Sequence, residues 1–179
     1  MAAVAMAATG MSALSPVTEA RAGAVHVQSV PEGSLIENKE SNMELVPFGA
    51  ENGAPVKQSI YNPTTHDPSF SWSFVKKVDA PGEDSDRYWL VNPWSGRCAG
   101  VSGGALYDGA PVILWDCNQD AWVNYWFIRV DWYENGLPVY RMVNVWSGKC
   151  LAIPDGSGQI VQAIQWSCAN DPDQQWWLT

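Results

Sequence analysis

Residues 144–150 read NVWSGKC, and residues 92–98 read NPWSGRC. A phrase this specific written twice marks a duplicated structural unit. Extending the alignment lengthens the match. Residues 88–117 read YWLVNPWSGRCAGVSGGALYDGAPVILWDC, and residues 140–168 read YRMVNVWSGKCLAIPDGSGQIVQAIQWSC. Tyr88 matches Tyr140, Asn92 matches Asn144, and Cys98 matches Cys150. After a one-residue gap, Trp115 and Cys117 match Trp166 and Cys168. Each unit then closes on a tryptophan-bearing segment, NYWFI at 124–128 and QQWWL at 174–178.

A diverged copy lies upstream. NGAPV at 52–56 matches DGAPV at 108–112, SWSF at 71–74 matches YWFI at 125–128, and Asn38 and Ser41 match Asn92 and Ser95. The repeats therefore run over about 34–75, 88–130 and 140–179. Units that recur at this period bury their apolar faces against one another. Each copy reads as short strands: YWLVN and YRMVN are aromatic and β-branched, and Asn52-Gly53 and Asp108-Gly109 favour tight hairpins. No long stretch has a helical period. The pattern predicts an all-β body that closes on itself, because closure removes exposed sheet edges. The links 77–87 and 131–139 are polar, carry Gly and Pro, and read as surface loops.

Four cysteines allow three pairings. The first copy has Glu44 and Tyr61 where the others have cysteine, so both thiols are missing together. That favours bonding within each copy, Cys98 with Cys117 and Cys150 with Cys168. Each bond closes a loop of about 20 residues, worth about 3 kcal/mol in the chain-entropy model. A metal site is disfavoured, since there is no C-x-x-C and the chain has only 2 histidines. Paired cysteines imply an oxidising compartment. The start, MAAVAMAATGMSALSP, is apolar and rich in small residues, and Ala20-Arg21-Ala22 and Ala22-Gly23-Ala24 both fit an A-x-A cleavage pattern. Residues 1–33 thus read as a signal-like segment and tail of a secreted protein, although no Lys or Arg precedes Arg21. The stretch is too short and too interrupted, by Gly10 and Pro16, to span a membrane.

Composition narrows the partners. The formal net charge is −9, with only 10 Lys and Arg among 179 residues. No basic stripe exists to neutralise phosphates, which argues against nucleic acid and anionic membranes as partners. Apolar residues make up 46%, enough for a core, and 11 residues are tryptophan. Most of those rings are expected in the core, with a few in binding pockets. No phosphate loop or EF-hand spacing occurs. The acidic pairs Glu83/Asp84 and Asp171/Asp173 read as solvated turn residues rather than a glycosidase pair. The expectation is a protein without catalysis, cofactor or metal.

Three copies carrying SGKC, DGAPV, an aromatic-x-Cys strand and a closing QxW resemble ricin B-type lectin domains, over nearly all of 34–179. The resemblance implies a β-trefoil of three repeats with pseudo-threefold symmetry, in which Trp72, Trp126 and Trp176 are core residues. It also implies shallow sugar pockets, up to one per repeat. An aromatic ring stacks on a pyranose while amides and a carboxylate hold the hydroxyls. The stacking position falls on Trp115 and Trp166, and on Ser59 in the first copy. The carboxylate position falls on Gly100, Ala152 and about Val46, so no copy keeps it. A hydrogen bond to a charged group contributes about 1.5–3 kcal/mol, so this departure weakens a sugar site. Ile113 and Ile164 replace a frequent Gln, while the QxW glutamine survives as Gln174 and becomes Asn124 and Phe70 elsewhere. The third copy keeps Trp166, Asp173 and Gln174, and the second keeps Trp115 and Asn124. Gln165 is expected to point away from Trp166, and Trp94 and Trp146 to fold back onto their own repeats.

Two readings follow. One is a secreted module that binds a glycan or polysaccharide through the second and third repeats. The other is a trefoil whose sugar sites have lapsed and which binds a protein, as an inhibitor or interaction module.

Overall fold

Short aromatic and β-branched runs, each ended by glycine, asparagine or proline, form strands and nothing longer. The computed structural model describes residues 33–78 and 86–179. The signal-like segment and its cleavage motifs lie outside the described residues, as do His26 and most of the link 77–87. Among the described residues there are twelve strands and no α-helix. The first four are β1 (Ile36–Asn38), β2 (Glu44–Pro47), β3 (Val56–Ser59) and β4 (Ser73–Val78). The next four are β5 (Arg87–Asn92), β6 (Arg97–Val101), β7 (Ala110–Trp115) and β8 (Tyr125–Glu134). The last four are β9 (Leu137–Asn144), β10 (Cys150–Ala152), β11 (Ile164–Trp166) and β12 (Trp176–Leu178).

Strands β4, β5, β8, β9, β12 and β1 pair antiparallel in that order. A Ser34–Trp72 bridge then joins β1 to β4 and closes the ring. Leu35 and Thr179 exchange two backbone hydrogen bonds, 2.8 and 3.2 Å, along the β1–β12 seam. The remaining strands form hairpins β2–β3, β6–β7 and β10–β11. These meet one another through Pro55–Ile113, Lys57–Gln162 and Ile164–Pro111. Gly53 and Gly109 turn the β2–β3 and β6–β7 connections with φ of +89° and +86°, which favours glycine.

The core fills the ring and the space under the hairpins. Ile36, Val56, Trp72, Leu90, Val112, Trp126, Met142, Ile153 and Trp176 are all buried. A buried indole needs an acceptor for its N–H. Trp72 donates to the Leu45 carbonyl (2.9 Å), Trp126 to Ala99 (3.0 Å) and Trp176 to Leu151 (3.2 Å). Three buried asparagines behave alike. Asn38 donates to the Asp173 carbonyl (2.8 Å), Asn92 to Ser69 (2.7 Å) and Asn144 to Val123 (2.8 Å). Their Oδ1 atoms accept from the backbone N–H groups of Ser41, Ser95 and Ser147. Each such asparagine shapes its own turn and ties it to the segment that leads into a core tryptophan, Trp176 for Asn38, Trp72 for Asn92 and Trp126 for Asn144, satisfying buried backbone groups at both ends.

Cys98 is bonded to Cys117, and Cys150 to Cys168. Where the first copy lacks cysteine, the Glu44 carboxylate accepts from the Tyr61 backbone N–H at 3.0 Å. A hydrogen bond thus links the two segments that a disulfide links elsewhere. One expectation is corrected. Residues 131–139 are not a loop: β8 and β9 continue as a long hairpin to a Glu134–Leu137 pair, turned by Asn135 and Gly136 with φ of +51° and +84°. The polar composition that suggested a loop belongs to a strand pair projecting into solvent.

Candidate functional site

Two open cavities flank the exposed tryptophans of β7 and β11. Each tryptophan stands opposite a disulfide-bonded cysteine, Trp115 opposite Cys98 and Trp166 opposite Cys150. The strand is therefore fixed at its base, while the ring, nearly half exposed in both cases, faces outward.

The cavity beside Trp166 has a volume of about 490 Å³. Its walls are Ile164 and Trp166, the turn Pro154–Gly156, the turn Asp171–Gln174, and Glu40 from the turn after β1. Asp155 and Gly156 both have positive φ, which brings this turn over the cavity edge. Glu40 packs against it: a β-carbon on Gly156 would stand 2.8 Å from the Glu40 Cγ. Gln174 is buried and uses its amide within the chain, accepting from Ala169 N–H (2.9 Å) and donating to the Ser167 carbonyl (3.2 Å). Asp173 differs. Its Oδ1 is sealed from solvent yet has no hydrogen-bond partner. Burial first, then the charge of Asp171, and further those of Glu40 and Asp155, raises its carboxyl above the ordinary value.

The cavity beside Trp115 has a volume of about 520 Å³ and no ionisable lining residue. Gly100, Ser102–Gly104, Ile113, Ala121, Val123 and Asn124 complete it. Asn124 is fully buried. Its Nδ2 donates to the Asp116 carbonyl at 3.2 Å, while its Oδ1 has no partner. That oxygen lies over the Gly100 Cα, in the space a side chain at position 100 would take.

The five residues singled out in the sequence thus divide between two cavities: Trp166, Asp173 and Gln174 line one, Trp115 and Asn124 the other. Gln165 is buried and turned inward, accepting from Ser147 Oγ (2.6 Å) and donating to Ala105 and Tyr107 carbonyls. Asp171 is exposed in its turn, as expected, while Asp173 is partly buried, and both border the cavity. Glu40 and Asp155 are not singled out by the sequence: Glu40 comes from the first repeat, and Asp155 from a turn of the third that folding lays beside Trp166. Trp94 and Trp146 are about half exposed. Trp146 does not fold back onto its own repeat: its indole donates to the Gly104 carbonyl at 3.0 Å, at the border of the Trp115 cavity. Among the described residues no cluster of His, Cys, Asp and Glu could hold a metal ion, and no helix is long and apolar enough to cross a membrane.

Residues 124–179 match a family described as ricin-type beta-trefoil lectin domain-like. No match was found among curated proteins. Among solved structures, the designed 3-fold symmetric protein ThreeFoil is 26% identical with a TM-score of 0.69, over 82% of this chain and 96% of that one. An exo-β-1,3-galactanase from Clostridium thermocellum is 24% identical with a TM-score of 0.70, over 83% of this chain but only 30% of its own. A lectin from Polyporus squamosus, bound to the epitope Neu5Acα2-6Galβ1-4GlcNAc, is 18% identical with a TM-score of 0.62, over 82% of this chain and 48% of its own. This chain is therefore similar to ricin-type β-trefoil lectin domains, by direct match over residues 124–179 and by fold over about four fifths of its length.

Proposed function

We propose that the protein is a secreted, non-catalytic glycan-binding module that uses the Trp115 and Trp166 cavities. One observation carries the reading: each exposed ring borders an open cavity of about 500 Å³. A tryptophan face supplies apolar area for a pyranose, and the polar groups at the cavity edges, the Asp155 and Asp171 carboxylates beside Trp166 and the Ser102 hydroxyl beside Trp115, can partner its hydroxyls. Gln174 holds the 167–169 loop in place from behind. The two disulfides accord with an extracellular setting. We further propose that residues 34–179 are one module in triplicate. The matched bonds of Asn38, Asn92 and Asn144, and of Trp72, Trp126 and Trp176, support this.

Binding to immobilised glycans and insoluble polysaccharides tests the proposal. Trp166→Ala and Trp115→Ala should each weaken binding at least about tenfold, a loss of about 1.4 kcal/mol, with unchanged circular dichroism. The loss of a carboxylate at Gly100 and Ala152 favours a second reading, a trefoil that binds a protein. Failure to bind any glycan would turn the assignment to it.

A further inference from the structure

Four carboxylates face the Trp166 cavity: Glu40, Asp155, Asp171 and Asp173. Several other acids among the described residues are matched with cations, Asp108 with Lys149 at 2.6 Å and Glu134 with Lys39 at 2.9 Å among them, while Glu37, Glu44, Glu51, Asp67 and Asp120 are not. Among the described residues none of the four cavity acids is in an ion pair. They come from three places in the chain, the turn after β1, the turn after β10 and the turn before β12, and folding converges them. Glu40 is held at the rim by its contact with Gly156. Glu40, Asp155 and Asp171 are exposed at the cavity, and Asp173 is partly buried in its wall. The Trp115 cavity, of nearly the same size, is lined by no charge at all.

Gathering like charges in one concavity disfavours the folded state and concentrates a negative potential there. A neutral sugar needs acceptors, not four charges, and would leave them unmatched. A protonated amine gains from each carboxylate and also from the indole face. The cavity is of small-ligand size, and Trp166 offers a flat wall on which a ring can stack. We infer that the Trp166 cavity takes a cationic amino sugar, a glycan residue with a free, protonated amino group, and that Glu40 determines this preference from the neighbouring repeat. The inference rests on the reading that this cavity binds glycan, and it adds the charge class of the ligand.

The full chain is titrated, in mildly acidic low-salt buffer, with β-1,4-linked glucosamine oligomers and with N-acetylglucosamine oligomers of equal length. Trp166 is followed by its indole N–H signal. The free-amine oligomers should bind at least about tenfold tighter. Raising salt from about 0.05 M to about 0.5 M should remove most of that margin. Glu40→Gln and Asp155→Asn should each reduce it several-fold with melting no lower than the parent's. Glu51→Gln, which removes one charge outside the cavity, should leave it intact. Equal binding of the two oligomers at Trp166 overturns the inference and leaves the glycan reading standing. A margin that Glu51→Gln lowers as much as Glu40→Gln overturns it in favour of diffuse attraction by net charge. Polylysine perturbing the Trp166 signal as strongly as the amine oligomers overturns the sugar assignment. Binding of neither oligomer overturns the inference, and binding of no other glycan would then remove the underlying reading too.

Discussion

Asn124 holds its side-chain oxygen over the α-carbon of Gly100, within the volume a β-carbon would occupy. The backbone oxygen of Val123 would stand 3.2 Å from the same β-carbon. Ricin B-type domains carry a carboxylate at this position, so Gly100→Asp is the obvious attempt to restore one. It should fail. The side chain would have to expel a fully buried asparagine, and overpacking of that kind costs about 1–3 kcal/mol. Thermal unfolding should show the loss, and glycan titration should show no gain.

The tryptophans separate into two classes that a pair of substitutions distinguishes. Trp126 is fully buried with its N–H on the Ala99 carbonyl, so Trp126→Ala should cost about 3–5 kcal/mol. Trp166 is nearly half exposed, and Trp166→Ala should cost less than about 1.5 kcal/mol while removing ligand binding. Denaturant titration of the two variants, side by side, checks both values.

Removing a disulfide should destabilise through the unfolded chain. The bonds close loops with sequence separations of 19 and 18 residues. Replacing Cys98 and Cys117 by serine, or Cys150 and Cys168, should each cost about 3 kcal/mol in chemical denaturation. Reduction of the parent protein should shift its melting in the same direction.

Asp173 should make stability depend on pH with an unusual sign for a carboxylate. Its folded-state value is raised, by burial and then by Asp171, with Glu40 and Asp155 adding to it. Between the ordinary carboxylate range and that raised value, the folded protein holds the proton that the unfolded chain has released. Stability from this group is thus full at low pH and declines as pH rises through the window. Asp173→Asn should be more stable than the parent at neutral pH. The two should converge below about pH 4.

Much of this architecture was legible because its signals are local. The SGKC and QxW phrases located the buried tryptophans, and the joint absence of two cysteines from the first copy indicated the pairing found at Cys98–Cys117 and Cys150–Cys168. The hairpin at 131–139 was misread since Asp131, Glu134, Asn135 and Pro138 are residues of loops. The Asn135-Gly136 dipeptide, a tight-turn signal, was the better guide. What could not be read is contact between repeats. Trp146 reaches Gly104 and Glu40 reaches Gly156 only because the ring of strands brings their turns together. No spacing within one copy encodes that meeting.

The reciprocal bonds between Leu35 and Thr179 have a topological consequence. The two residues are joined as neighbouring strands are, about 5 Å apart. A short peptide from Thr179 to Ser34 could therefore be added without disturbing the sheet or the Ser34–Trp72 bridge, and the chain could instead be opened at Asn135-Gly136. Such a circular permutant should retain the same folded body, with new ends at the tip of the β8–β9 projection.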